Sequence, residues 1–458
     1  MSRLLVKARA VLTMDAELGD IDGGEVLIVD DCIVSVGRGL DSSGAEVLDA
    51  PQMLALPGFV DVHRHTWQSA VRHCSVGWDL GAYQGNIQGV VGQALTPEDA
   101  YAGNLLGAVS ALDAGITTIR DESHAQNTPE HTNELIRALR DSRIRACFAY
   151  GWPSTDAMSW LWDSERQLPE DIRRVRNDVL ADDTALVTLQ ALLRGPELSS
   201  MAATRTDVVR ARELGLRMSM HMGTGEYGTR YHGIRALADA DLIGSDMIFV
   251  HCCTSDDEEL TLTASAGAAA CVTAAVEANM PGLGAPATSR LLRHGIRPGL
   301  GVDVEVGTAG DMFNVMRAAL ISERLRETLL GPDGVYAAPV TAQDLLSFAT
   351  IDGAAAAGLA DRTGSLTPGK QADLILVRLD DLNLAPANDW VGSLVAAGHP
   401  GNVDTVLVAG QVLKRGGRIT HLDVEAIVQQ ARRSGARLLG LVSQSMASHD
   451  SAAAGAMP

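Results

Sequence analysis

The sequence is poor in positive charge, in cysteine and in aromatic side chains, and it has no long apolar run. Its 458 residues carry 37 Lys and Arg against 57 Asp and Glu, a formal net charge of −20. Such a surface repels nucleic acid and anionic membranes, which argues against either as a partner. No apolar stretch approaches the roughly 20 residues that cross a bilayer, and the segment after Met1 lacks the apolar core of a secretory signal. The sequence therefore predicts a cytoplasmic protein.

Cysteine is too sparse to build a disulfide framework. The six cysteines include no Cys-x-x-Cys pair, so we expect reduced thiols rather than disulfides or a cysteine-bound metal. Apolar residues make up 46% of the chain, which is typical of a globular enzyme.

Short apolar runs alternate with helix-length segments through the middle of the chain, the pattern of βα repeats around a parallel sheet. Eight such repeats predict an α/β fold, a closed (β/α)8 TIM barrel over residues 57–361. The predicted strands are Leu54–His63, Gly115–Asp121, Ile144–Tyr150, Ala185–Leu192, Arg217–Met222, Met247–Cys252, Ala268–Ala275 and Ile296–Asp303.

The two ends of the chain share another texture, short β-like runs broken by Gly and Asp. We expect residues 1–56 and 362–420 to form one small composite β-sandwich domain. A C-terminal helix is predicted over 421–447, and disorder over 448–458.

Histidines and an aspartate stand where predicted barrel strands end. The first strand closes with His63-Arg64-His65, and residues two apart on a strand point the same way. The fifth, sixth and eighth strands end at His221, His251 and Asp303. Because TIM-barrel active sites lie at the carboxyl ends of the strands, these side chains should meet. Imidazoles with a carboxylate suit one divalent metal, Zn²⁺ ahead of Fe²⁺ or Mn²⁺.

Three stretches resemble the amidohydrolase superfamily, in its branch of cytosine-deaminase-like enzymes and triazine hydrolases (chlorohydrolases and guanine-deaminase-type enzymes). "LPGFVDVHRH" resembles its first-strand motif, "GSLTPGKQADLILV" its closing β domain and "GLGVDVEVGTAGDMFNVMR" its eighth-strand segment. The resemblance implies a barrel with a composite β domain and metal ligation by His63, His65, His221 and Asp303. It also implies that His251 orients the hydrolytic water and that Asp303 takes its proton.

Lysine is absent from the predicted barrel. Binuclear relatives commonly bridge two metals with a carboxylated lysine, but the three lysines here are Lys7, Lys370 and Lys414. We therefore expect a mononuclear site, with a bridging Glu or Cys as the route left open.

The sequence departs from the resembled deaminases just after His221. They usually carry His-x-x-Glu, whose acid moves protons to the leaving amine, whereas this chain has Thr224 at that position. Glu226 is a candidate for the missing catalytic acid, with a solvated loop residue as the alternative. Without such an acid ammonia leaves poorly. One alternative is therefore hydrolysis of another leaving group (halide, ether or ring amide), and a second is a non-catalytic relative that only binds a ligand.

Aromatic residues make up only 4% of the chain, yet tryptophans gather in segments that follow the predicted strands. This favours a flat or apolar small-molecule substrate, with loop packing or a subunit interface as the alternative. The predicted substrate-binding residues are Trp67, Gln68, Arg72, Trp78, His124, Trp152 and Glu305.

Together these features predict a metal-dependent amidohydrolase. It should hydrolyse a carbon–nitrogen bond, by deamination or a related reaction, in a small cyclic nitrogen-containing substrate. Because members of the resembled family often associate, we also expect a homo-oligomer.

Overall fold

The computed structural model of the chain describes residues 2–330 and 339–455. Within them the strands form two sheets, one of eight strands and one of nine. The strands are β1 Arg3–Leu12, β2 Asp20–Asp22, β3 Glu25–Val29, β4 Cys32–Gly37, β5 Glu46–Pro57, β6 Phe59–Arg64, β7 Ile116–Ser123, β8 Arg145–Tyr150, β9 Val187–Leu192, β10 Met218–Met222, β11 Met247–His251, β12 Ala269–Val272, β13 Gly299–Leu300, β14 Leu374–Arg378, β15 Val403–Val408, β16 Gln411–Arg415 and β17 Arg418–Ile419.

Helices follow most barrel strands along the chain. The α-helices are α1 Leu80–Tyr83, α2 Gly92–Ala94, α3 Pro97–Asp113, α4 Pro129–Ser142, α5 Asp171–Arg174, α6 Met201–Glu213, α7 Gly225–Tyr231, α8 Gly233–Asp239, α9 Asp257–Ala266, α10 Ala274–Asn279, α11 Thr288–Arg293, α12 Met312–Leu330, α13 Ala342–Phe348, α14 Ile351–Ala357, α15 Trp390–Ala397 and α16 Val424–Gly455.

Eight parallel strands, β6 to β13 in chain order, form the barrel sheet. Its two edges meet through backbone hydrogen bonds, from Asp303 N to the His63 carbonyl at 2.7 Å and from His65 N to the Asp303 carbonyl at 2.9 Å. The strands are buried on both faces, as expected of a parallel sheet covered by helices. The predicted TIM barrel is therefore confirmed, and its closing bonds involve residues predicted to bind metal.

Three of the predicted barrel strands differ from the structure by three residues or more at one end, and the other five differ by one or two. The first begins at Phe59 instead of Leu54, because the residues up to Pro57 belong to β5 of the other sheet. The seventh ends at Val272, since α10 begins at Ala274. The eighth is only the pair Gly299–Leu300.

Both ends of the chain build the nine-stranded sheet, in the order β17-β16-β15-β14-β5-β1-β3-β4, with β2 paired to β1. Strands β5 and β14 join the two halves in an antiparallel pair that aligns Ile375 with Leu56. Apolar side chains from both halves, including Val6, Ile28 and Leu376, pack in its core. The composite β domain is thus confirmed as one mixed sheet, whereas the exact domain limits stay a prediction.

Helix α3 begins with Thr96 as N-cap, Pro97 in its first turn and Asp99 completing a capping box. The helix then packs backbone to backbone on the helical turn Thr66–Val71. A Cβ on Gly103 would lie 2.1 Å from the Trp67 carbonyl oxygen, so only glycine permits this approach. This packing fixes the segment that follows the His63-Arg64-His65 motif.

Helix α16 runs from Val424 to Gly455 and is longer than the predicted helix over 421–447. It passes through part of the segment predicted to be disordered, and residues 456–458 lie outside the described residues. Among the described residues no helix is both long and apolar enough to span a bilayer.

Candidate metal centre and cavity

The four predicted metal ligands converge at the carboxyl ends of the barrel strands. Potential ligand atoms of His63, His65 and Asp303 lie within 4.8 Å of one another, and so do those of His63, His221 and His251. The Asp303 carboxylate lies 3.5 Å from His63 Nε2 and 3.6 Å from His65 Nε2. Strands one, five, six and eight therefore supply one cluster.

Two residues of this cluster have unusual backbone conformations. His251 has a φ of 78° and Asp303 a φ of 65°, the left-handed region that non-glycine residues rarely occupy. Such conformations persist only where surrounding structure enforces them, and they concentrate at functional sites. Both residues stand at strand ends where the chain turns away from the barrel and aims the side chain inwards.

Burial favours the neutral form of two imidazoles in the cluster, those of His65 and His221. It lowers the pKa of His65 and of His221 well below the ordinary value, and the neighbouring imidazoles lower both further. Burial opposes ionisation of Asp303, but the neighbouring imidazoles, His63 first, outweigh it and hold the pKa of this carboxyl below its usual range. His65 and His221 thus offer neutral nitrogen donors and Asp303 a carboxylate, the forms that bind metal.

Hydrogen bonds around the cluster fix which ring nitrogen is free. His65 donates from Nδ1 to the Glu122 carbonyl oxygen at 2.8 Å, so its Nε2 faces Asp303 as a lone pair. His251 donates from Nδ1 to the Glu277 carboxylate at 3.1 Å, with its Nε2 4.0 Å from Asp303. Thr273 donates from Oγ1 to the same Asp303 carboxylate at 3.2 Å.

A charged pair supports the cluster from inside the barrel. The Glu122 carboxylate lies 3.3 Å from His63 Nδ1, accepts hydrogen bonds from Ser219 Oγ and pairs with Arg120. All four groups are buried, so a negative charge on Glu122 is compensated by Arg120 beneath the histidines.

The side chains present fit a divalent metal. Neither ring nitrogen of the fully buried His63 makes a hydrogen bond within the described residues, although buried polar atoms are nearly always satisfied. A cation at the centre of the cluster would satisfy His63 Nε2. His63, His65, His221 and Asp303 would hold the ion with the nitrogen and oxygen donors that zinc prefers.

A cavity with mostly apolar and aromatic walls opens onto this cluster. His65, His221, His251 and Asp303 face it, and the walls come from the loops after the barrel strands and from the segment 80–88. Its wall residues are Leu80, Tyr83, Gln84, Gln88, His124, Trp152, Leu161, Glu197, Leu198, Thr224, Tyr227, Val276, Met280, Leu283 and Val304.

Two of the predicted substrate-binding residues line the cavity. His124 and Trp152 stack with ring centroids 5.7 Å apart, and burial lowers the pKa of His124 to about 4. Trp67 lies behind them, edge-on to His124 at 5.6 Å. Gln68 donates a hydrogen bond to the Tyr83 hydroxyl at 2.7 Å. It therefore supports the cavity wall indirectly, by holding the Tyr83 side chain.

The structure does not bring the other predicted residues to the cavity walls. Glu305 is buried beside Arg64 and Ser69, Arg72 donates to Ser110 on α3, and Trp78 packs partly buried on the core. Glu226 is exposed on α7, because that helix begins at Gly225 and turns the side chain towards solvent.

Three buried acids at the site escaped the sequence interpretation: Glu122, Glu197 and Glu277. Each lies within five residues of the end of a barrel strand. An acid at such a position is the only sequence feature by which they could have been found.

A model of the amidohydrolase family matches residues 54–413. The chain belongs to the amidohydrolase family. The match covers the barrel and much of the C-terminal part of the β domain, and it confirms the predicted enzyme class, a metal-dependent hydrolase that acts on carbon–nitrogen bonds.

Curated relatives of this amidohydrolase match it over almost its whole length. A 5-methylthioadenosine/S-adenosylhomocysteine deaminase of Pelotomaculum thermopropionicum is 28% identical over 455 residues, 96% of this chain and 99% of the relative. A 5′-deoxyadenosine deaminase of Methanosarcina barkeri is 27% identical over 458 residues, again 96% and 99% of the two chains.

Solved structures show the same fold. An adenosine deaminase from Xanthomonas campestris with bound zinc superposes with a TM-score of 0.82 at 21% identity, covering 96% of this chain and 99% of the other. An atrazine chlorohydrolase from Arthrobacter aurescens complexed with zinc gives 0.79 at 22%, covering 94% and 99%. Both of those proteins contain zinc.

Proposed function

We propose that this amidohydrolase is a mononuclear, zinc-dependent deaminase of a small, flat, uncharged nitrogen heterocycle. The observation that carries the proposal is the cluster of His63, His65, His221 and Asp303, three of which face a cavity with aromatic walls. The relatives named as deaminases of adenosine derivatives support an amino-substituted ring as the substrate class. Fe²⁺ or Mn²⁺ is the alternative metal.

A metal bound at this cluster supplies Lewis acidity and lowers the pKa of a water towards ~7. The chain's own residues do the rest. The stacked pair of His124 and Trp152 offers a flat surface for the ring, and Tyr83 faces the same cavity. His251, held by Glu277, orients the attacking water, and Asp303 accepts its proton at a carboxylate oxygen.

A second candidate is hydrolysis of a leaving group that needs no proton, such as halide. The observation in its favour is that position 224 carries threonine and that Glu226 lies exposed outside the cavity walls. In this alternative the cluster and cavity keep their roles and only the departing group differs.

Metal analysis followed by a product assay tests both candidates. Protein purified without added metal or chelator is expected to contain about one zinc per chain. It should release ammonia from a member of a panel of amino-substituted triazines, pyrimidines, purines and adenosine-type nucleosides. Chloride release from the chloro-substituted rings without ammonia release from any amino form would favour the second candidate, and inactivity of the metal-loaded protein on both would contradict the two.

Glu277→Gln separates the charge on this residue from its hydrogen bonds. The bonds from His251 Nδ1 and from the Thr273 backbone N–H both end on Oε1, whereas Oε2 makes none with the described part of the chain. Glutamine keeps the bonds and removes the charge that orients His251, so turnover should fall by about 10–100-fold with metal content unchanged. Steady-state kinetics with elemental analysis measure this, and Glu258→Gln on the exposed face of α9 is the control.

Homo-oligomer formation and cytoplasmic location stay predictions from the sequence. Size-exclusion chromatography with light scattering tests the first directly.

A further inference from the structure

The cavity contains a second carboxyl group besides Asp303. Among the described residues that line it, only Glu197 and Asp303 carry one. Glu197 follows strand β9, in the turn Gly195-Pro196-Glu197, and is 2% exposed. Asp303 already has a role with the metal and the water, but the mechanism above leaves Glu197 without one.

Glu197 lies against the backbone where the resembled deaminases carry their acid. Its Oε1 accepts a hydrogen bond from Gly223 N at 2.6 Å, and its Oε2 accepts one from Thr224 N at 3.2 Å. Thr224 occupies the glutamate position of the His-x-x-Glu pattern and also lines the cavity. A carboxyl group is therefore present next to position 224, although it comes from another strand end.

The surroundings of Glu197 favour proton exchange near neutrality. Burial raises the pKa of Glu197 to about 7; the backbone N–H groups of Gly223 and Thr224 act to lower it, and the charge of Glu259 adds to the rise. A group with such a pKa is present both as acid and as base at pH 7, which general acid catalysis requires.

We propose that Glu197 is the catalytic acid that protonates the departing amino group, in the role that Thr224 cannot fill. This inference rests on the proposed deamination. It assigns the role of the acid to Glu197 alone and does not require Glu226, which faces solvent.

Asp303 and Glu197 together account for every proton transferred in the proposed reaction. Water oxygen bonds to the amino-bearing ring carbon and gives one proton to Asp303, while the C=N electron pair moves onto the ring nitrogen. That pair then returns to re-form C=N as the bond to the amino group breaks. The departing nitrogen keeps the bonding pair, takes the proton of Glu197 and leaves as ammonia. Asp303 then passes its extra proton to Glu197 through solvent.

A purely structural role would have a different signature. The two hydrogen bonds also hold the turn at residues 223–224, so their loss would slow every reaction at the site to the same extent. A proton donor matters for ammonia, a poor leaving group, and much less for chloride, which departs without a proton. Comparing the two leaving groups therefore distinguishes the roles.

The test compares Glu197→Gln with wild type on the amino and chloro forms of one ring from the panel. We expect ammonia release to fall by about 10²–10⁴-fold and chloride release to fall far less. Metal content by elemental analysis should stay at the wild-type value. Glu213→Gln, which changes an exposed acid at the end of α6, is the matched control and should leave both rates unchanged.

A second, independent test places a glutamate at position 224 instead of position 197. Thr224→Glu in the Glu197→Gln background restores the His-x-x-Glu pattern and should recover part of the lost ammonia release. If the enzyme does not turn over the chloro form, this rescue distinguishes the catalytic role of Glu197 from a structural one. If Glu197→Gln does not fold, Glu197→Asp, which keeps the carboxyl but shortens the side chain, takes its place and should lose ammonia release selectively.

The outcomes separate the two hypotheses. Wild-type protein that releases no ammonia from any ring overturns the proposed deamination and this inference with it. Ammonia release that survives in Glu197→Gln overturns the role of Glu197 alone. An equal loss for both leaving groups likewise assigns Glu197 to structure and overturns its role as acid. Where the chloro form is not turned over, a loss of ammonia release that Thr224→Glu does not rescue overturns it in the same way.

Discussion

His63→Ala is expected to remove the metal and reduce turnover to the uncatalysed background. His63 is fully buried, neither of its ring nitrogens makes a hydrogen bond within the described residues, and its Nε2 points at Asp303. Alanine removes the central nitrogen donor of the cluster. No neighbouring side chain can supply that donor in its place. Elemental analysis and the ammonia assay measure the two effects.

Asp303→Asn tests the same centre by a smaller change. Asparagine keeps a ligand oxygen but cannot accept the proton of the attacking water, so turnover should fall by about 10²–10⁴-fold with part of the metal retained. His294→Ala, which alters a histidine on the outer surface beside Asp257, is the control and should change neither quantity. Full activity in His63→Ala or in Asp303→Asn would show that the site has been misplaced.

The metal cluster could be predicted because its members sit at fixed points of a repeating fold. A histidine pair with one residue between its members, ending an apolar run, constrains both the strand and the direction of its side chains. His221, His251 and Asp303 then follow from the same rule at later strands. The left-handed φ values of His251 and Asp303, by contrast, could not be predicted from the residue types.

The acids around the cluster could not be placed in this way. Glu277 acts through a hydrogen bond to His251, and Glu197 through bonds to the backbone of Gly223 and Thr224. These contacts join loops after different strands, so no spacing along the chain records them. Proximity in sequence also misled: Glu226 is two residues from Thr224, yet α7 turns it to solvent.

The start of the barrel illustrates how one apolar run can hold two strands. Leu54–Val62 looks continuous, but Pro57 ends β5 and Gly58 lets the chain cross into β6. A Cβ on Gly58 would lie 2.1 Å from Thr117 Cγ2, so the crossing requires glycine. Apolar periodicity cannot divide such a run, because both strands are buried.

Arg145→Met is expected to cost about 3–5 kcal/mol of unfolding free energy without altering the metal centre. Arg145 begins strand β8, at the end of the barrel opposite the cavity, and donates two hydrogen bonds to Asp373, from Nε at 2.7 Å and from Nη2 at 3.0 Å. Asp373 precedes β14 and also accepts from Ala409 N at 2.7 Å. The pair therefore joins the barrel to the β domain, and both side chains are buried.

The large effect comes from what the substitution leaves behind. Without the guanidinium, the Asp373 carboxylate stays buried without its hydrogen-bonded counter-charge, and the cost of its lost hydration is no longer offset by that pair. Denaturant unfolding followed by circular dichroism measures the change. Arg173→Met breaks an exposed pair with Glu213 and should cost at most about 1 kcal/mol.

The double variant Arg145→Met/Asp373→Leu distinguishes an unpaired charge from general damage to packing. Removing both charges should cost less than the sum of the two single changes, because neither partner is then left buried alone. Equal costs for Arg145→Met and Arg173→Met would contradict this account of the barrel–domain contact. Metal content and turnover of the folded variants should match wild type, since Arg145 lies at the stability face of the barrel and the chemistry lies at the other.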